Sequence, residues 1–425
     1  MKKSIALLLS LVMLVTLFAG CDNEVTDEVT SEVTSEVTSE EKVTLTVWGD
    51  PDNQAILEDC FAELNETFAD KHPNIIIDYQ WSGSFDGINI AMQSDTLPDM
   101  FWVQGNKSSK MAEMADAGFL LELDQFNPDS TGYPEGAVDY AQVDGVTYCS
   151  YPGFIDYALI YYNADIFAEH SLEKPENYDD FVAAMETLHT AGVTPFALGG
   201  DFEWSRYWPM QIMAASLANN DLKRIKNGET TGTFEEIVFV FDQFREFCDK
   251  GYFGNPPGAM DESAAQLAFS NGKVAMIAEG TWNNSLFSDL AFDVGRFALP
   301  DKDGVSAAQS GYSNFTTYAI SSKCEHPEEA WEYINFLNSL EAQQITEDHM
   351  KSIPVLKDIV TVDPVIEEVS DFDVVGENIY HVLSNVPTET GKPQDIFISG
   401  VVSDLMTGKT TGEEAMNRII AEMNK

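Results

Sequence analysis

The sequence predicts an α/β protein of two lobes, each a mostly parallel sheet flanked by helices. Three observations carry that expectation. From residue 43 onward, short β-branched runs alternate with stretches of helical spacing, the order of a parallel sheet covered by helices. The alternation restarts near residue 158. The 425 residues suggest two or three domains, and 44% hydrophobic and 11% aromatic residues are enough to fill their cores.

The elements follow in chain order. Val43-Thr44-Leu45-Thr46-Val47-Trp48 is an alternating strand that ends in the loop Gly49-Asp50-Pro51-Asp52. Over residues 55–71, Ile56, Phe61, Leu64 and Phe68 fall near one helical face. Residues 74–81 form a second strand, carried by Ile75, Ile76, Ile77 and Tyr79. Residues 99–103 form a short third strand, and 107–117 a helix closed by Gly118. The second series opens with a strand over 158–162. A helix over 178–190 is capped by Asn177, with Asp180 three residues later, and ended by Gly192. Phe196-Ala197-Leu198 is a strand leading into Gly199-Gly200. Residues 235–249 carry a helical apolar face of Ile237, Val240, Phe241, Phe244 and Phe247. Strands are expected over 274–278 and 316–321, and Pro327 opens a further helix. Thr411-Gly412-Glu413-Glu414 is a capping box for the last helix.

The segment before residue 42 reads as targeting and tether rather than fold. Lys2 and Lys3 precede an apolar run over 5–18, followed by Ala19, Gly20 and Cys21. The run is shorter than the roughly 20 residues that span a bilayer, so residues 1–20 read as a signal peptide. Leu17-Phe18-Ala19-Gly20-Cys21 resembles a bacterial lipobox, which implies a lipidated Cys21 as the mature N-terminus. Phe18 stands where that pattern prefers Leu, Val or Ile. Next, Glu-Val-Thr-Ser repeats three times over 28–39. Residues 22–41 hold eight acids and no base, so the stretch repels itself and stays extended. Twenty residues of flexible coil span on the order of 25 Å before that repulsion is added. Residues 21–41 therefore read as a lipidated cysteine and an acidic tether.

Charge and cysteines narrow the function classes. Lys plus Arg number 23 and Asp plus Glu 71, a formal net charge of −48. A nucleic-acid binder needs a basic face, and so does a polybasic contact with anionic lipid. Neither is expected here. Cys60, Cys149, Cys248 and Cys324 are widely spaced with no CxxC, and buried free thiols are preferred over three alternative disulfide pairings.

Enzyme and cofactor motifs fall short. Gly408-Lys409-Thr410 lacks the earlier glycine of a phosphate loop, since position 403 is Ser403. Gly311-Tyr312-Ser313-Asn314-Phe315 starts like a nucleophile elbow, but Phe315 replaces the second glycine. No two of the six histidines lie three to five apart, so no compact zinc motif exists. Asp301-Lys302-Asp303-Gly304 is a turn without the later ligands of a calcium loop. No cofactor, metal or catalytic residue is expected. With 71 acids, carboxylate pairs arise by chance, so residue content leaves a glycosidase open.

The tryptophans cluster at strand ends and loops. Trp48, Trp81 and Trp102 close the first three strands, Trp204 and Trp208 follow Gly199-Gly200, and Trp282 follows Gly280. Ligands of α/β sheets bind outside the carboxyl ends of the strands. Flat aromatic faces there suit sugar rings, whose C–H faces are apolar and whose hydroxyls need polar partners. Asp50, Asp52, Gln104, Asp156, Glu203 and Asn314 are candidates for those partners. Any one of these tryptophans is as readily a core residue, and Trp331, on a helix face, reads as core.

These stretches carry a family likeness. Leu97-Pro98-Asp99-Met100-Phe101-Trp102, Asp144-Gly145-Val146-Thr147-Tyr148 with Tyr151-Pro152, and Ile160-Tyr161-Tyr162-Asn163 occur in order. Phe269-Ser270-Asn271-Gly272-Lys273-Val274-Ala275-Met276 with Gly280-Thr281-Trp282 follows, then Glu329-Ala330-Trp331 through Leu337. Together they resemble the extracellular solute-binding lipoproteins of bacterial ABC importers, of the sugar and maltose-binding type, over residues 42–425. The resemblance implies a periplasmic-binding-protein-like trap with a ligand cleft between two lobes: 42–155 with 313–353, and 156–312 with 354–425. It places Trp102, Asp50 or Asp52, Asp156, Glu203 with Trp204, and Trp282 in the cleft, and Tyr312 and Asn314 near the return crossing. Where the maltose type has a further aromatic in the penultimate helix, this chain offers Asp395 or Phe397.

The function so implied is capture of an extracellular carbohydrate, an oligosaccharide, for the permease subunits of an ABC importer. The protein would be a monomer, held at the outer face of the cell membrane by its lipid anchor alone. A secreted carbohydrate-active enzyme is the runner-up. A binder of peptides, iron or polyamines is the third reading, and the tryptophan set favours sugars over it.

Overall fold

The computed structural model describes residues 42–107, 109–200, 203–361 and 372–425, with Glu203 described by its backbone only. The signal peptide, Cys21 and the acidic tether lie outside the described residues. Thirteen strands are described: β1 (Val43–Trp48), β2 (Ile75–Gln80), β3 (Met100–Trp102), β4 (Gln142–Val143), β5 (Val146–Thr147), β6 (Phe154–Asn163), β7 (Thr194–Ala197), β8 (Val274–Gly280), β9 (Val294–Phe297), β10 (Ala307–Tyr312), β11 (Tyr318–Ile320), β12 (Ile353–Pro354) and β13 (Val374–Gly376).

The first lobe grows from β1. Val43, Leu45 and Val47 alternate into the core, the two-residue period of a half-buried strand. β1 pairs in parallel with β2 and β3, and β11 closes the sheet antiparallel to β3. The helix Gln54–Lys71 joins β1 to β2 and buries Leu57, Cys60, Phe61, Leu64 and Phe68. Phe61 sits among Tyr79, Trp81 and Tyr318 at 4.8–6.1 Å. Truncating such a ring to alanine costs about 3–5 kcal/mol.

The second lobe is built on β6, ten residues long and buried along most of its length. Ala158 and Ile160 enter one core with Phe181, Phe241 and Met276, while Leu159 and Tyr161 enter another with Ile277 and Phe287. The sheet order is β13-β10-β6-β8-β7, with β9 and β12 also pairing β6. Here the expectation of a mostly parallel sheet needs correction. β8, β9, β10 and β12 all run antiparallel to β6, and only β7–β8 and β10–β13 are parallel. The reason is chain direction. β6 enters from the first lobe and runs away from it, whereas β8 runs back, its last residue Gly280 opposite Ala158. Phe154 and Phe315 belong to the core of the first sheet, and Ile353 packs on the core that holds Leu159 and Tyr161.

Local signals explain most element ends. Asn177 Oδ1 accepts from the Asp180 amide, and the reciprocal capping box of Thr411 and Glu414 is formed. The helix Glu235–Lys250 stops on Gly251, which takes the left-handed conformation at φ 78°. Gly105–Lys107 is a 3-10 turn, and the helix expected from residue 107 is described over Lys110–Asp116. Trp204 and Trp208 are not on a loop: they lie in the first two turns of the helix Glu203–Leu217. Among the described residues no helix is long and apolar enough to cross a membrane.

Candidate functional site

A cavity of about 200 Å³ lies where the two lobes meet and takes residues from both. Its first-lobe rim begins just after β1. Asp50 caps the 3-10 turn Pro51–Asn53, with Pro51 at the first helical position. Asp50 Oδ1 accepts from the Asp52 amide at 3.0 Å, and Oδ2 from Asn53 Nδ2 at 2.6 Å. Burial nevertheless pushes the Asp50 carboxyl up to about 6, against the pull of those two bonds. Asp52, more exposed, is raised by the same desolvation.

Trp102 closes β3. Its indole N–H donates to the Gly83 carbonyl, its ring meets Phe85 edge-on at 5.1 Å, and it is only 4% exposed. It is therefore a member of the first core that shows an edge to the cavity.

The second lobe supplies a continuous aromatic wall. Tyr380 packs on Trp204 at 4.9 Å, Trp204 on Trp208 at 5.9 Å, and Trp208 on Trp282 at 4.7 Å. Trp204 and Trp208 are one helical turn apart, which aligns their rings on one face. Trp282 packs against the cores of both lobes. Gly280 permits that placement, because a Cβ there would fall 1.9 Å from the Trp282 ring.

Polar groups complete the lining. Asp156 on β6 lies 4.0 Å from Lys107 Nζ. Burial raises the Asp156 carboxyl to about 7, with Lys107 and the Ser313 hydroxyl opposing. Burial lowers Lys107, with Asp156 opposing. His381 is held down to about 3 by burial and by the charges of Lys107 and Lys226, so its ring is neutral. Gln266 and Asn283 also line the cavity, and both donate to buried Glu279, at 3.0 and 2.8 Å. Burial lifts the Glu279 carboxyl to about 7. Among the described residues no group of His, Cys, Asp and Glu is arranged to hold a metal ion. Flat apolar walls beside hydrogen-bonding groups suit a ligand that is itself apolar on its faces and polar on its rim.

The structure brings together Asp50, Asp52, Trp102, Gln104, Asp156, Trp204, Trp282 and Asn314 in the cavity lining. It places Trp48, Trp81 and Tyr312 elsewhere. Trp48 and Trp81 pack on the first core, Trp81 edge-on to Tyr79 at 5.0 Å. Tyr312 meets Tyr140 edge-on at 5.8 Å. A strand end fixes where a Cα lies, not which face its ring takes. The Glu203 side chain lies outside those described. Phe397 is fully buried against Tyr207 and Phe241, and neither it nor Asp395 lines the cavity. Tyr380 is the C-terminal aromatic that does.

Trp208, one of the tryptophans singled out from the sequence, lines the cavity, whereas Lys107, Gln211, Gln309, Asn378, Tyr380 and His381 escaped the sequence reading. Helical spacing from Trp204 points to Trp208 and Gln211 once the helix is recognised. Nothing local marks the others. Cys60, Cys149, Cys248 and Cys324 are all free thiols, and burial pushes Cys60 and Cys324 up to about 12.

Residues 50–344 match the family model described as bacterial extracellular solute-binding protein. An uncharacterized ABC transporter extracellular-binding protein of Pyrococcus horikoshii is 30% identical over 358 residues, 80% of this chain and 78% of the relative. The galactooligosaccharide-binding protein of Bacillus subtilis is 21% identical over 394 residues, 88% and 87% of the two chains. Among solved structures, a chitin oligosaccharide binding protein superposes with a TM-score of 0.75 at 20% identity, covering 90% of this chain and 98% of its own.

Proposed function

The chain belongs to the bacterial extracellular solute-binding protein family, and from that premise we propose that it captures an extracellular oligosaccharide and delivers it to an ABC importer. The observation that carries the reading is the aromatic wall Tyr380–Trp204–Trp208–Trp282 facing a cavity that also holds Asp50, Asp52 and Asp156. Indole and phenol faces take up the C–H faces of sugar rings, while carboxylates and amides take up hydroxyls. The names of two similar proteins, binding galactooligosaccharides and chitin oligosaccharides, support the class.

In this reading residues 42–155 with 313–353 form one lobe and 156–312 with 354–425 the other, and ligand draws them together about the crossings. Asp50, Asp52, Trp102, Gln104, Asp156, Glu203, Trp204, Trp282 and Asn314 contact the ligand. The protein binds without chemistry, as a monomer. Two acyl chains on Cys21 hold it at the outer face of the membrane, since one chain alone anchors only marginally. Residues 22–41 act as the spacer, and permease subunits are its partners.

The aromatic wall provides the test. Tryptophan fluorescence is followed while chitin oligosaccharides, galactooligosaccharides and maltodextrins are added. Saturable quenching or enhancement by at least one of them, with a smaller radius of gyration in scattering, is the expected result. No change with any of them would falsify the carbohydrate reading. Released shorter sugars would make the protein an enzyme instead.

A further inference from the structure

The register of β6 and β10 builds a buried polar cluster that aromatic stacking does not require. Asp156 stands opposite Gly311, and Ala158 opposite Gln309. Opposed residues share a sheet face, so Asp156 and Gln309 are diagonal neighbours, about 7–8 Å apart at the backbone. Gly311 leaves the space beside Asp156 open: a Cβ there would lie 3.3 Å from Lys107 Cε and 3.5 Å from Gln309 Nε2. Lys107 Nζ approaches Asp156 Oδ2 at 4.0 Å. Gln211, from the helix that also carries the tryptophans, donates through Nε2 to Gln309 Oε1.

Two acceptors are left over. Asp156 Oδ1 and Gln211 Oε1 are buried and accept no hydrogen bond. The two residues are 5% and 0% exposed, and both line the cavity. A buried acceptor without a donor is costly, more so when charged. Native structures keep few such groups, and each calls for an explanation. A ligand carrying donors is the explanation that the cavity supplies.

We propose that Asp156, Gln211 and Lys107 form a subsite that grips one ring of the ligand by its hydroxyl groups and so decides which sugar is accepted. This rests on the carbohydrate reading above. One ring hydroxyl donates to Asp156 Oδ1, a second donates to Gln211 Oε1, and a hydroxyl oxygen accepts from Lys107 Nζ. A hydroxyl both gives and takes hydrogen bonds, so one ring serves both acceptors and the lysine. An ammonium group fits worse, being a donor only and meeting the charge of Lys107. An epimer or deoxy sugar that withdraws one hydroxyl leaves an acceptor unpaired, which costs at least about tenfold in affinity.

The test uses the full mature protein and whichever of a chitin oligosaccharide, a galactooligosaccharide and a maltodextrin binds it most tightly, with the monodeoxy analogues of that sugar's terminal rings. Asp156→Asn and Gln211→Leu are each expected to weaken the parent sugar about tenfold or more. One deoxy analogue is expected to bind poorly to wild type and to lose little more in the matching variant. Thermal melts check the fold, and Asp156→Asn, close to isosteric, stands alone if Gln211→Leu does not fold. Parent affinity unchanged in a folded variant overturns the subsite but leaves the carbohydrate reading standing. So do equal losses for every analogue. Wild type that binds no saccharide overturns both. Spermidine is the second probe. Binding that falls in Asp156→Asn and rises in Lys107→Met would replace the hydroxyl assignment with an amine.

Discussion

Removing Trp282 separates ligand binding from folding. Its ring joins the wall through Trp208 and packs against both lobes' cores, yet stays only half-buried. An indole carries about 150–250 Å² of surface, of which at most about a third is left for a ligand face here. At about 25 cal/mol per Å² that share is worth about 1–2 kcal/mol on binding. Trp282→Ala is therefore expected to weaken oligosaccharide affinity about five- to thirtyfold. Calorimetric titration of wild type and variant measures this directly, with a thermal melt of each as the control. The melting temperature should fall by less than for a core tryptophan. Unchanged affinity would refute the reasoning, and so would a melt that collapses, since the ring would then be holding the fold rather than the sugar.

Removing Trp102, which also lines the cavity, should in addition cost the fold far more than removing Trp282 does. Because it is buried, bonded to Gly83 and packed on Phe85, Trp102→Ala should cost about 3–5 kcal/mol of stability in a denaturant titration. Acidity gives a third outcome. Asp50, Asp156 and Glu279 hold protons up to about 6, 7 and 7 in the folded state, against ordinary values of 3.8, 3.8 and 4.5. The folded state thus binds more protons than the unfolded chain between about pH 4 and pH 7, and their contribution to stability is lost as pH rises through that window. The melting temperature should therefore rise when the pH is lowered from 8 to about 5.5, and Asp156→Asn should flatten the slope. Finally, Cys21→Ala should release the protein from the membrane into the medium, read by fractionation, whereas unchanged retention would rule out the anchor.

What could be read from sequence alone follows a physical line. Strands and helices stood out where their signals are local: the alternation of Val43, Leu45 and Val47, the Asn177 cap, the Thr411 box. The direction of strands in the second sheet did not, because β6 meets partners from far along the chain and local patterning carries no record of them. The same divide runs through the site. Trp282 was legible because it sits just past a strand and its glycine. Asp156 was named, but its neighbours Lys107, Gln309 and Gln211 were not, since Gln211 and Gln309 are 98 residues apart and meet only where a helix packs on the sheet. Trp48 and Trp81 show the reverse case, a correct position along the strand with the ring turned to the core.

The central claim is that the cavity binds an oligosaccharide and does nothing to it. Isothermal titration calorimetry of the mature protein against a glycan panel tests both halves in one trace. The account expects heats that saturate at one ligand per protein for at least one oligosaccharide, and a baseline that returns to rest after each injection. Flat titrations across the panel would contradict the binding claim, and heat that persists after each injection, the mark of turnover, would contradict the claim that no chemistry follows.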